Sequence, residues 1–152
     1  MPPYKEFHLD KRNGITAIIM NRGRVLIMKR TYIPFKISPG IWTFVCGGRK
    51  RGERYIETAY REIREEAGIP KKRLRLLSKY DRVMKIDVGM RRKFYDHLYL
   101  FYSETREVRR NIENTKHRWA RLNEIRNERE YTNVFADKHL IERMIERAID
   151  EE

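Results

Sequence analysis

Residues Gly47–Ile69, GGRKRGERYIETAYREIREEAGI, decide how the rest of this chain is read. From Thr58 to Ala67 the stretch holds neither Pro nor Gly and is rich in Ala, Glu and Arg, which predicts a helix. At about 100° per residue, Glu62, Glu65 and Glu66 stand at i, i+3 and i+4 and share one face. Ile56, Ala59, Tyr60, Ile63 and Ala67 make a separate apolar stripe able to pack on a core. Three crowded carboxylates repel one another unless a cation lies between them, and hard oxygen donors of this kind suit Mg²⁺ or Mn²⁺. A solvated acidic helix face would account for the carboxylates. It would not account for two glycines and Glu53 at their offsets.

Spaced as Gly47-x5-Glu53-x7-Arg61-Glu62-Ile63-x-Glu65-Glu66-x-Gly68-Ile69, the stretch resembles a complete Nudix box, the signature of the MutT-like Nudix hydrolases. The resemblance implies hydrolysis of a nucleoside diphosphate linked to another group, by water attacking phosphorus with divalent-metal assistance. A diphosphate bridge is anionic, so a metal must neutralise it, orient it and lower the pKa of a bound water. On this reading Glu62, Glu65 and Glu66 ligate Mg²⁺, with Mn²⁺ as the alternative ion. The backbone carbonyl of Gly47 is a further candidate ligand, and Gly permits the close approach. Glu53 acts behind the ligands or on a second metal. Arg61 pairs with Glu65 one turn on and is structural before it is catalytic. Gly68 is a helix C-cap.

The resemblance leaves the general base open between a box glutamate and one from a later loop. Glu113, six residues before Trp119, is the loop candidate, with Glu104 and Glu107 as rivals. Any of the three also reads as a plain surface glutamate. Substrate phosphates are assigned to Arg30 and to Arg91 or Arg92, and base stacking to Tyr32, Phe35 or Tyr95. Each aromatic also reads as core or surface filler. His97 sits among apolar neighbours in a strand and is expected to be structural. No Pro stands about sixteen residues after Gly68, where Met84 lies, which weakens an ADP-ribose substrate.

With 152 residues, 40% hydrophobic and 38% charged, the chain is expected to be one domain with a real core and a charged surface. No apolar run approaches the ~20 residues of a membrane span, and the N-terminus lacks the apolar stretch of a signal peptide. A cytoplasmic protein with no membrane partner is expected. The single Cys46 excludes an internal disulfide and, by itself, a cysteine zinc site.

Net charge is +13, and residues 70–95 carry ten Lys/Arg against two Asp. A basic field concentrates polyanions, whether nucleotides or nucleic acid. The absence of Gln beside abundant Lys, Arg and Glu is a thermophile-like bias that explains part of the charge but not its sign. Three functions are therefore weighed. The first is a pyrophosphohydrolase of a nucleotide or nucleotide derivative. The second is an enzyme acting on the 5′ end of RNA. The third is a non-catalytic binding module, which would have no need of an intact Glu62, Glu65, Glu66 set. A homodimer is left open.

Around the box, residues 14–20 and 25–28 are β-branched or apolar runs separated by Asn21-Arg22-Gly23, which predicts a hairpin. Residues 42–46 predict a strand feeding the glycine pair, and Phe7 and Leu9 a short edge strand. After the helix, strands are expected over 74–80, 83–88 and 94–102, with a basic loop at 89–93. Residues 104–116 read as loop, and 119–125 as a short strand with a helical turn. A terminal helix is expected over 133–149, capped near Thr132 or Asn133. This order fits an α/β/α sandwich around a mixed central sheet, the fold that the resemblance also implies.

Overall fold

The computed structural model describes residues 3–10, 13–30, 42–87, 91–109, 114–127 and 138–151. Its strands are β1 (His8–Leu9), β2 (Gly14–Asn21), β3 (Arg24–Arg30), β4 (Trp42–Thr43), β5 (Val45–Gly48), β6 (Leu74–Asp87), β7 (Arg92–Ser103) and β8 (Asn114–Ala120). Its α-helices are α1 (Tyr55–Ala67), α2 (Leu122–Asn127) and α3 (Lys138–Asp150). The strands form one mixed sheet centred on β2. β2 runs parallel to β7, from Gly14 beside Asp96 to Met20 beside Tyr102. Its other edge is shared by antiparallel β5, at Gly14 to Ala17, and by β3 beyond the turn. β4 and β8 pair with β3, β6 pairs antiparallel with β7, and β1 lies parallel to the far end of β7.

All eight residues of β2 are buried, which is why this run is apolar on both faces rather than alternating. Ile15, Ala17 and Ile19 point to one side and pack with Ala59, Ile63 and Ala67 of α1. Ile18 and Met20 point to the other and pack with Ile141, Met144 and Ile145 of α3. The period-2 alternation of one strand thus meets two helical stripes, giving the expected α/β/α sandwich around a mixed sheet.

Several boundaries differ from the sequence expectation. α1 starts at Tyr55, three residues earlier than the Gly- and Pro-free run, because Glu57 Oε1 accepts a hydrogen bond from the Arg54 amide at 2.9 Å and satisfies a helix-entry donor. The helix ends as expected on Gly68, at φ 69°, whose N–H donates to the Arg64 carbonyl. The two strands expected around Asp81-Arg82 are one 14-residue strand with register shifts at Leu76/Ser78 and Tyr80/Val83. The polar pair sits in a bulge, with Arg82 at φ 54°. Arg92 and Lys93 belong to β7 rather than to a loop, since β1 pairs with them. Asn114 to Lys116, expected as loop, extend β8 through pairing with β3. Thr132 and Asn133 lie outside the described residues.

Candidate active site

The box folds as strand, turn and helix. β5 delivers Gly47-Gly48 to the flank of α1, and Ile63, Ala59 and Ala67 anchor the helix on the sheet. Gly47 lies against Glu62 so closely that a Cβ there would fall 2.2 Å from the Glu62 carboxyl carbon. Only a glycine leaves that carboxylate its place. Gly14 makes a similar allowance on the neighbouring strand, where a Cβ would meet the Gly47 carbonyl oxygen at 2.7 Å.

Arg61 is the hub of the cluster. Its Nε and a terminal nitrogen donate to both oxygens of Glu53, at 2.7 and 2.9 Å. The latter nitrogen also donates to the Gly48 carbonyl at 3.0 Å. The other terminal nitrogen donates to Glu62 at 2.7 Å and Glu65 at 3.3 Å. A planar guanidinium fork can bridge a loop carbonyl and three carboxylates in this way, whereas a lysine ammonium has no such fixed geometry. The expected i to i+4 pairing of Arg61 with Glu65 is thus the weakest part of a larger network.

Glu53 also accepts from the Lys50 amide at 2.8 Å and from Thr58 Oγ1 at 3.1 Å. These donors, Arg61 foremost, bring its pKa down to about 2. Glu53 is therefore a fixed anion tying the turn to α1, and its lone pairs are committed to the protein. Burial pushes the Glu62 carboxyl up from its ordinary range, while hydrogen bonds with Glu66 and Arg61 oppose the shift. Glu66 is 1% exposed, and Glu65 faces solvent.

As the side chains lie, no three His, Cys, Asp or Glu residues among those described already form a metal-holding group. Arg61 offsets part of the carboxylate charge. The donor set fits a hard divalent cation. It offers carboxylate oxygens, buried on Glu66 and half-buried on Glu62, on one helix face against a glycine backbone that leaves room.

Not all of the other sequence candidates are among the described residues. Tyr32, Phe35 and Glu113 lie outside the described residues, as does the side chain of Arg30 at the end of β3. Arg92, expected to meet substrate phosphate, is mostly buried and pairs with Asp10 at 3.2 Å, locking β1 to β7. Arg91, at φ 50°, lies over the Phe7 ring at 5.1 Å in the same N-terminal clasp. Tyr95 carries the guanidinium of Arg82 at 4.5 Å. His97 is structural in placement, stacked on Tyr55 at 3.7 Å with Nδ1 3.4 Å from Asp81. Two buried polar side chains escaped the sequence reading. Asp96 accepts from Thr16 Oγ1 behind Gly14, and Asn21 Nδ2 donates to the Ser103 carbonyl. The break that Asp96 makes in the apolar run of β7 was the available signal.

A family model described as the NUDIX domain matches residues 10–144. The RNA pyrophosphohydrolase of Pelagibacter ubique (strain HTCC1062) is 29% identical over 82 residues, which are 53% of this chain and 48% of that one. The chain thus matches about half the length of that curated relative. The crystal structure of a MutT protein from Methanosarcina mazei Go1 superposes with a TM-score of 0.70 at 19% identity, covering 96% of each chain. An Ap4A hydrolase from C. elegans, in a binary complex, gives 0.68 at 19% identity, covering 93% of this chain and 98% of that one. These structures share the fold. The family match spans most of the chain and contains the whole Gly47–Ile69 cluster, so the chain belongs to the Nudix hydrolase family.

Proposed function

We propose that the chain is a pyrophosphohydrolase that cleaves the diphosphate bridge of a nucleotide or nucleotide derivative with the help of Mg²⁺, or of Mn²⁺ in its place. The observation that carries this reading is the cradle itself: Glu62 packed against Gly47, buried Glu66 and exposed Glu65 on the same helix face, and Arg61 binding Glu62 and Glu65 to the preceding turn. Glu62, Glu65, Glu66 and the Gly47 carbonyl would hold the ion. When bound it would screen the diphosphate charge and acidify a water. Arg61 and Glu53 position the carboxylates and do not meet substrate.

Arg30 is retained as a phosphate contact, Tyr32 and Phe35 as base contacts, and Glu113 as a base in competition with the box glutamates. Arg91 and Arg92 are not retained, because the N-terminal clasp engages them. No α-helix among the described residues is long and apolar enough to cross a membrane, in keeping with a cytoplasmic nucleotide substrate.

The test is a panel of nucleoside triphosphates, dinucleoside polyphosphates and nucleotide sugars with Mg²⁺ or Mn²⁺, read as phosphate or pyrophosphate release. Glu66→Gln keeps the shape but removes the charge, and turnover should fall by orders of magnitude. Gly47→Ala should cost at least tenfold in kcat with little change in Tm, since the added methyl displaces a carboxylate rather than the backbone. Wild-type turnover by both variants would end this assignment.

A second reading, hydrolysis at the 5′ end of RNA, is favoured by the name of the Pelagibacter relative and by the charge of residues 70–95. A triphosphorylated oligonucleotide in the same panel separates the two.

A further inference from the structure

We propose that the outer edge of β6 is a binding surface for single-stranded RNA, separate from the carboxylate cradle. Among the described residues β6 pairs only with β7, and no described strand lies on its other side. Along it Arg75, Lys79 and Arg82 are exposed, and the preceding turn, Lys71–Arg73, adds three more cations. Nearby acids offset little of this charge. Arg73 lies 3.7 Å from Glu104 and Lys79 lies 3.8 Å from Asp81, with both pairs well exposed to solvent. Such pairs are weak and exchange readily for a phosphate.

Rings are interleaved with the charges. Arg75 lies over Tyr102 at 5.4 Å, Arg82 over Tyr95 at 4.5 Å, and Tyr80 is 40% exposed between them. Exposed cations for phosphates together with the exposed Tyr80 ring for a base are the elements of a single-strand platform. From Arg75 to Arg82 the strand spans about 23 Å at ~3.3 Å per residue.

Three other occupants fit less well. A peptide adding itself as a strand needs a regular edge, but β6 is bulged at Leu76/Ser78 and again at Tyr80/Val83. A second copy of the same edge would set cations against cations. Duplex RNA would leave the ring of Tyr80 without an unstacked base to meet.

The inference does not rest on the hydrolytic reading, and its test avoids catalysis. A fluorescein-labelled twelve-nucleotide oligouridine with a 5′-hydroxyl is titrated in EDTA, and its anisotropy is read between 50 and 300 mM salt. The oligonucleotide offers the cradle neither a terminal phosphate nor a metal.

Wild type should bind with a steep salt slope. The exposed triple variant Arg75→Ala, Lys79→Ala, Arg82→Ala should lose at least tenfold in affinity. Its slope should flatten by about two units, at ~0.7 for each phosphate no longer neutralised. Tyr80→Ala should weaken binding about fivefold, as removal of one stacking ring does, and leave the slope unchanged.

The charge-matched control Arg121→Ala, Arg143→Ala, Arg147→Ala alters other exposed positions. Equal losses in both triple variants would mean a diffuse field and overturn the proposal. So would a Tyr80→Ala variant that binds like wild type, since a ribbon blind to bases serves any polyanion. Tighter capture of an acidic twelve-residue peptide than of the oligonucleotide would assign the edge to a protein instead. A thermal melt of each variant confirms that the fold is retained.

Discussion

Glu53 shows how much one residue can hold. Four hydrogen bonds, from Arg61 twice, the Lys50 amide and Thr58, fix the turn after Gly48 against the helix. Its pKa is lowered from 4.5 to about 2, with the Arg61 bonds as the largest cause. A carboxylate depressed in the folded state adds stability that is complete above its unfolded pKa. That stability disappears as pH falls from about 4.5 through about 2. The Tm advantage of wild type over Glu53→Gln should therefore be constant from pH 7 to pH 5. It should shrink steadily below pH 4.5 and be nearly gone at pH 2. An advantage independent of pH over that range would show that the carboxylate charge is not what fastens the turn. Arg61 was legible in the sequence as a partner for Glu65 one turn away. Its stronger bonds, to Glu53 and to the Gly48 carbonyl, were not, because they depend on how the turn folds back.

At the scale of elements, α1 was readable from its own residues. Composition, periodicity and Gly68 at the end are local signals, and the helix runs where they put it, extended by one turn at its start. What the end of the helix touches was not readable. A Cβ at Gly68 would lie 2.7 Å from the Arg109 Cβ, because the segment after β7 crosses the helix end and the Arg109 amide donates to the Ala67 carbonyl. Gly52 offers an internal comparison. It too has positive φ, at 86°, but nothing stands within 4 Å of its missing Cβ. Gly52→Ala should cost about 1–2 kcal/mol, the left-handed penalty alone. Gly68→Ala should cost more, by denaturant unfolding, because a packed segment must also move. Equal costs would show that Arg109 yields freely. β6 and β8 were misjudged for a related reason. A polar pair can sit in a bulge, and a polar run can form a strand, when a neighbouring strand supplies the hydrogen bonds.

For the whole molecule, the sandwich brings a +13 chain around a site built of carboxylates. A positive field favours anionic ligands, and the proposed metal would sit among the carboxylates. Burial resists charge on Glu62. A divalent ion held among these carboxylates should stabilise the fold, by about 2.7 kcal/mol at 100 times its Kd. Mg²⁺ should thus raise the Tm of wild type by several degrees and leave Glu66→Gln almost unmoved. The same shift in both proteins would place the ion elsewhere.

The sequence by itself determined the family signature, the carboxylate-bearing helix, the apolar hairpin and the sandwich around a mixed sheet. Each of these follows from periodicity or from offsets within a few dozen residues. Tertiary structure alone decided which partners those residues hold. Arg92 pairs with Asp10 across 82 positions, and Asn21 meets the Ser103 carbonyl across as many. Both contacts exist because β7 lies beside β1 and β2 in one particular register. Strand register is a property of the assembled sheet, and no stretch of sequence read alone contains it.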